Sequence, residues 1–274
     1  MKSLNEPRRA SDFFRLFLTT SKDAHVDREG IESLLYDIKD EEQDIYGRAI
    51  HIGDGYFLTA GHVIEEDSGL QLVPQLAHDN KSRHAEKFEV ITHNMVDDLA
   101  LLMIDAHEKS GSPLIRLATK IPQLGESVSE FTRYDGDKVD TDYVFQFEHE
   151  HVHGLGRIIL RTNSAFLEKQ GEVEYNSDYP RYPGFVHTFG APIPALVGDS
   201  GSPVFLKVDN GKYMLAGIAS KVYGSKFPIL TANHPFFNKN GYFMGAIVVD
   251  REPIERLISQ YLVKSTQTLH PPSR

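Results

Sequence analysis

From residue 47 to residue 249 the chain reads as short apolar or alternating segments separated by turn residues, and this pattern sets the strongest limit on its fold. Residues 47–53 and 56–59 read as a hairpin, because Asp54-Gly55 between them readily supplies the positive φ angles of a tight turn. Segments 70–73, 88–92 and 99–104 continue the series. The last is apolar on both faces, as in a strand buried inside a barrel wall. A Ser-, Gly-, Pro- and Lys-rich stretch at 109–122 reads as a linker. Strands then resume at 127–133, 143–147, 157–161, 184–188, 203–208, 213–220 and 242–249, with long surface loops expected within the polar region 134–182.

Helical patterns flank this series. Ser11 can cap a helix holding Phe13, Phe14 and Phe17, and Asp27 can cap a second holding Ile31, Leu34, Leu35 and Ile38 on one apolar stripe. Both are expected to pack on the strands, the alternative being a partner or regulatory surface. Residues 253–262 read as a closing helix with Asp250 near its start and the stripe Ile254, Leu257, Ile258 and Leu262. The expected architecture is all-β with two barrels. Its divisions are a helical extension over 1–45, a first barrel over 46–118, a second over 119–250, and a helix and tail over 251–274.

Composition narrows the function. The chain of 274 residues has a formal net charge of −10, which argues against a nucleic-acid grip, since phosphate binding needs clustered Lys and Arg. With no cysteine, a disulfide framework, a thiolate zinc site and a cysteine nucleophile are excluded. Arg15 interrupts the apolar residues near the N-terminus, so no signal peptide is expected there, and no run suits a bilayer span. A soluble protein is expected, cytoplasmic or exported without a signal peptide.

Three motifs carry chemistry: Thr59-Ala60-Gly61-His62 after a strand, Asp98 opening the apolar Leu99-Ala100-Leu101-Leu102, and Gly198-Asp199-Ser200-Gly201-Ser202-Pro203 before another strand. Taken singly, each has an ordinary reading as a core histidine, a strand-opening acid or a turn. Together, in the order His, Asp, Ser, they fit nucleophilic acyl transfer. A serine hydroxyl needs an imidazole to take its proton, and the imidazole needs a carboxylate to fix its tautomer. The backbone N–H groups of Gly198 and Ser200 are the expected oxyanion donors, an effect worth roughly 3–4 kcal/mol per donor.

On these motifs the sequence resembles the trypsin-like (chymotrypsin-fold) serine proteases over roughly residues 47–262, and is similar to the disulfide-free bacterial, phage and viral branches. The resemblance implies two six-stranded antiparallel barrels, with catalytic His62 and Asp98 from the first and Ser200 from the second. It also implies a protein or peptide substrate, an acyl-enzyme on Ser200 and no cofactor. There is no Ile-Val-Gly-Gly activation site, although Asp199 occupies the position that pairs with a new N-terminus in zymogen-type members. Asp199 is expected to brace the oxyanion loop instead. Pro194 falls where the primary specificity pocket has its floor, Ser220 and Val222 beside the substrate backbone. Cleavage after small or medium apolar residues is the expectation.

Two further features stand apart. In Glu148-His149-Glu150-His151-Val152-His153 a single strand would set three imidazoles on one face, as a zinc site would need; an exposed polar strand or loop is the preferred reading, and no metal is assigned. Tyr175, Tyr179, Tyr182 and Phe185 are read as packing a long loop onto the barrel. The functional alternative to a protease is a latent or non-catalytic binding module on the same fold.

Overall fold

Asp54 (φ 49°) and Gly55 (φ 80°) take the left-handed angles that a tight hairpin requires, and they close β2 (Ile45–Gly53) onto β3 (Tyr56–Thr59). The computed structural model describes residues 6–19, 26–64, 69–75, 85–104, 115–123, 125–133, 142–149, 152–160, 166–172, 188–191, 193, 198–208, 211–224 and 244–269. Its first sheet adds β1 (Leu35–Lys39), β4 (Gln71–Pro74), β5 (Glu89–Asn94) and β6 (Leu99–Met103), in the order β4-β1-β2-β3-β6-β5. The ladder is open. One residue pair, Leu72 with Glu86, joins β4 to the segment leading into β5 through hydrogen bonds of 2.9 and 2.8 Å.

Among the described residues the second sheet holds eight strands, where six were expected. They are β7 (Ser127–Arg133), β8 (Asp142–His149), β9 (Val152–Leu160), β10 (Phe166–Glu172), β11 (Thr188–Ala191), β12 (Pro203–Lys207), β13 (Tyr213–Gly224) and β14 (Met244–Val249). Their order is β11-β14-β13-β12-β7-β10-β9-β8, and every pairing is antiparallel. Within residues 134–182, β8 and β9 overlap the strands expected at 143–147 and 157–161, and β10 is the strand that was not expected. Polar β10 joins β7 to β9, and β8 extends the edge.

At the N-terminus two expectations fail: Ser11 lies inside the first helix (Glu6–Leu18) rather than capping its start, and the second helix is cut short. Asp27 does cap a helix, accepting from the Gly30 N–H at 2.8 Å, but that helix, α2 (Arg28–Glu32), is five residues long. Leu34, Leu35 and Ile38 then belong to the approach and body of β1, which lies between β2 and β4. Backbone hydrogen bonds to two neighbouring strands outweigh the helical spacing of the same apolar residues.

Helices α1 (Glu6–Leu18) and α3 (Arg251–Leu269) pack together against the strands. Phe13 stacks on Tyr56 at 5.5 Å between ring centroids, Phe14 lies 4.7 Å from the same ring, and the hydroxyls of Tyr56 and Tyr261 are 3.2 Å apart. Arg251 fastens the pair by donating to the carbonyls of Leu18 (3.0 Å) and Ala118 (2.8 Å). Leu101, Phe205, Leu215, Ile254 and Leu257 belong to the same buried cluster, so one core runs from the helices into both sheets. No helix among the described residues is long and apolar enough to cross a membrane.

Candidate active site

After β3 the chain enters a single 3-10 turn, Gly61–Ile64, which presents the half-exposed His62. Its ring Nδ1 lies 2.8 Å from Asp98 Oδ2 and 3.0 Å from Oδ1, and its backbone N–H donates to Asp98 Oδ1 at 2.8 Å. One residue thus grips the carboxylate with both backbone and ring. Asp98 is buried and left-handed, with φ 52°. Such an angle is unusual outside glycine. The preceding turn holds it: Asn94 Oδ1 accepts from the N–H groups of Val96 (2.9 Å) and Asp97 (3.2 Å), and Asn94 Nδ2 donates to Asp97 at 2.7 Å. Arg256 on α3 donates to the other Asp97 oxygen at 2.9 Å.

Ser220 supplies a third donor to Asp98, its hydroxyl bonding to Oδ2. Along β13, Ala219 pairs with Val248 and Lys221 with Ile247, leaving Ser220 as the extra residue of a bulge. A bulge re-aims a side chain that regular pleating would direct elsewhere. Burial raises the Asp98 carboxyl, but the hydrogen bonds from His62 and Ser220 outweigh it and hold the group below its usual range. Asp98 is therefore ionised at neutral pH and accepts from the Nδ1 side of the ring.

Ser200 lies in the turn before β12 and is partly exposed. Gly198 (φ 90°) and Gly201 (φ 84°) flank it in left-handed geometry. The Arg48 N–H donates to the Ser200 carbonyl at 2.7 Å, Gly201 N–H to Ala219 O at 2.8 Å, and Ser202 N–H to Asp199 O at 2.9 Å. Close packing ties this turn to the His62 side. A Cβ on Gly201 would overlap the Arg48 carbonyl and the Thr59 hydroxyl and stand 3.1 Å from the Ala60 nitrogen. A Cβ on Gly47 would lie 2.7 Å from both Ser200 O and the γ-carbons of Val63. Absent side chains at these two glycines let the Ser200 turn and the His62 turn meet across β2.

The structure thus brings His62, Asp98 and Ser220 into hydrogen-bond contact and sets the Ser200 turn, with Gly198, against the same strands. Val222 lies on β13, paired with Ala246. Pro194 lies outside the described residues, as do Tyr175, Tyr179, Tyr182, Phe185 and His151. The histidine run is not one strand: His149 ends β8 and His153 sits on β9, with Glu148 paired to His153 and His149 to Val152. The single strand that would set three imidazoles on one face, which was not the preferred reading, does not form. Among the described residues no group of His, Cys, Asp and Glu could hold a metal.

Sequence reasoning missed Arg48, Glu130 and Lys169, which gather behind Asp199. Arg48 bonds to Asp199 Oδ1, and Lys169 Nζ lies 2.7 Å from Asp199 Oδ2 and 2.7 Å from Glu130 Oε1. No local motif announces this group, because its members come from four separate parts of the chain.

No protein-family model matches the sequence, and no curated protein matches it. Solved structures do match. A serine endoprotease from Yersinia pestis aligns with a TM-score of 0.52 and 13% identity, covering 90% of this chain and 69% of that one. Identity that low speaks to the course of the backbone alone. By sheet order, flanking helices and that likeness, the chain has the trypsin-like serine protease fold.

Proposed function

We propose that the protein is a serine endopeptidase in which Ser200 is the nucleophile, His62 the general base and then acid, and Asp98 the residue that orients His62. The observation that carries this reading is the double grip of His62 on a buried, ionised carboxylate, with ring Nδ1 at 2.8 Å and backbone N–H at 2.8 Å. It leaves one imidazole nitrogen free, on the turn that packs against the serine loop. Ser200 Oγ would attack the scissile carbonyl as its proton passes to His62 Nε2. Backbone N–H groups of Gly198 and Ser200 would receive the developing oxyanion. His62 would return the proton to the leaving amine, and water would release the acyl group by the same steps in reverse. Preference for small or medium apolar residues on the acyl side follows the readings of Pro194 and Val222, and substrate profiling that favours Arg, Lys or Glu would overturn it.

The test is labelling with a fluorophosphonate, which reacts only with an activated serine. Wild type should label at Ser200, and Ser200→Ala and His62→Ala should not. A folded wild type that resists the probe would remove the protease reading and leave a non-catalytic binding module.

A further inference from the structure

Behind the Ser200 turn the protein encloses a cluster of charge. Lys169 on β10 is 0% exposed, and Glu130, its direct cross-strand partner on β7, is equally buried. Lys169 Nζ stands 2.7 Å from Glu130 Oε1 and 2.7 Å from Asp199 Oδ2. Arg48 reaches in from β2 of the other sheet. Its Nη1 bonds to Asp199 Oδ1 and lies 3.4 Å from both Glu130 Oε1 and Ser202 Oγ, while its Nε is 3.7 Å from Asp37 Oδ1.

A buried ion group is a poor source of net stability, because desolvation consumes most of the attraction. Here the group fixes a position. Asp199 directly precedes Ser200, and each of its carboxylate oxygens is held by a different cation, one from each sheet. Arg48 also donates its backbone N–H to Ser200 O at 2.7 Å, so it holds the turn at three points: the Asp199 side chain, the Ser200 carbonyl and the Ser202 hydroxyl.

We propose that Lys169 and Arg48 are positioning residues for the nucleophile turn: cations built into the two sheets that fix Asp199, and with it the amides of Gly198 and Ser200, so that the turn is assembled without a charged group delivered from outside, such as the α-amine of a cleaved chain end. The proposal rests on the reading of Ser200 as nucleophile. Glu130 completes the balance, setting two anions against two cations, with Asp37 at the margin. Burial pushes the Glu130 carboxyl up to about 7 despite the opposing pull of Lys169 and Arg48, and nearby Asp199 adds to the rise. Because the group pairs cations with anions out of water, charge-neutral changes are the clean way to probe it.

The experiment uses the uncleaved full chain. Ser200 labelling rate, kcat and KM on a peptide, thermal melting, and amide exchange over residues 198–202 are compared for wild type, Lys169→Met, Lys169→Arg, and Lys169→Met with Glu130→Gln. The double variant removes one cation and one anion together, so it tests the turn even where the single variant fails to fold. Labelling and kcat should fall by about 100-fold in the double variant, the loss that accompanies a misplaced oxyanion donor. KM should change by less than about threefold. Exchange protection should be lost over 198–202 and kept over β2 and β3, and Lys169→Arg should recover most of the rate. Unchanged exchange at 198–202, a double variant that labels at the wild-type rate, or a wild type that labels only after N-terminal cleavage overturns the proposal. A wild type that never labels, combined with lost protection in the variants, removes the protease reading and still supports Lys169 as the anchor of the turn.

Discussion

Replacing Ser220 with alanine tests whether the Asp98 carboxylate is tuned from the second sheet. Asp98 receives three donors: the His62 backbone N–H at 2.8 Å, the His62 ring at 2.8 Å, and the Ser220 hydroxyl. Alanine removes the third without leaving an orphan, because Oδ2 keeps the ring nitrogen. A hydrogen bond to a charged group contributes about 1.5–3 kcal/mol net. Expressed wholly in the transition state, where imidazolium forms beside the carboxylate, that energy corresponds to about 10- to 150-fold in kcat/KM. The loss should fall on kcat, because the hydroxyl acts through Asp98. Stability should drop as well, with a defined pH sign. Asp98 is depressed in the folded protein, so its contribution is present above the unfolded carboxyl range and is lost as pH falls. Ser220→Ala should therefore be less stable than wild type at pH 7, with the gap closing toward pH 3. Steady-state kinetics in a double-mutant cycle with Asp98→Asn provides the assay. In the Asp98→Asn background the serine change should cost less than about twofold. Equal losses in both backgrounds, or a folded Ser220→Ala with wild-type kcat, would refute the reasoning.

Two further predictions concern stability. Asp250 is fully buried at the start of α3, where burial pushes its carboxyl up to about 7 against the Glu252 N–H that it accepts at 3.0 Å. A raised folded pKa favours the native state at low pH and loses that advantage as pH rises through about 7. Asp250→Asn keeps a capping acceptor and buries no charge, so denaturation should show it equal to wild type at pH 4 and more stable at pH 8.5, with a ceiling of about 4 kcal/mol. No gain at pH 8.5 would contradict the burial argument. Gly201→Ala places a Cβ against Arg48 O and Thr59 Oγ1 at φ 84°, whereas Gly211 (φ 72°) has nothing within 4 Å. Gly211→Ala should cost about 1–2 kcal/mol from the backbone angle alone. Gly201→Ala should cost at least about 1–3 kcal/mol more through overpacking and abolish Ser200 labelling; equal losses at the two glycines would show that the contact is unimportant.

What could be read from sequence was what depends on neighbours in the chain. The His62, Asp98 and Ser200 segments each carry their own turn residues and strand, so each was visible in a few letters. Asp27 was legible as a cap for the same reason. The fate of residues 34–38 was not, because their apolar positions suit a helix stripe and a buried strand alike, and pairing with β2 and β4 decides between them. β10 reads as Phe-Leu-Glu-Lys-Gln-Gly-Glu and looks like a surface loop. It is a strand with buried charges because Glu168 finds Ser129, Gln170 and Tyr213, and Lys169 finds Glu130 and Asp199. Partners that distant leave no local signature, and the Ser220 bulge is hidden for the same reason.

The two halves of the candidate site are secured by different forces, and each borrows one holder from the opposite sheet. His62 and Asp98 are fixed mainly by first-sheet backbone and the Asn94 turn, but Ser220 of β13 supplies the third donor on the carboxylate. The Ser200 turn is fixed by buried ions of the second sheet, but Arg48 of β2 supplies one of the two cations on Asp199 and the donor to Ser200 O. The exchange is reciprocal. Moving the sheets apart would remove a donor from Asp98 and a cation from Asp199 together, whereas a change confined to the outer brace of one half need not reach the other. Buried ions are screened little by salt, whereas the Arg256–Asp97 pair, with Arg256 39% exposed, is screened more. Ionic strength should thus loosen the brace on the Asp98 corner well before it reaches the turn that carries Ser200.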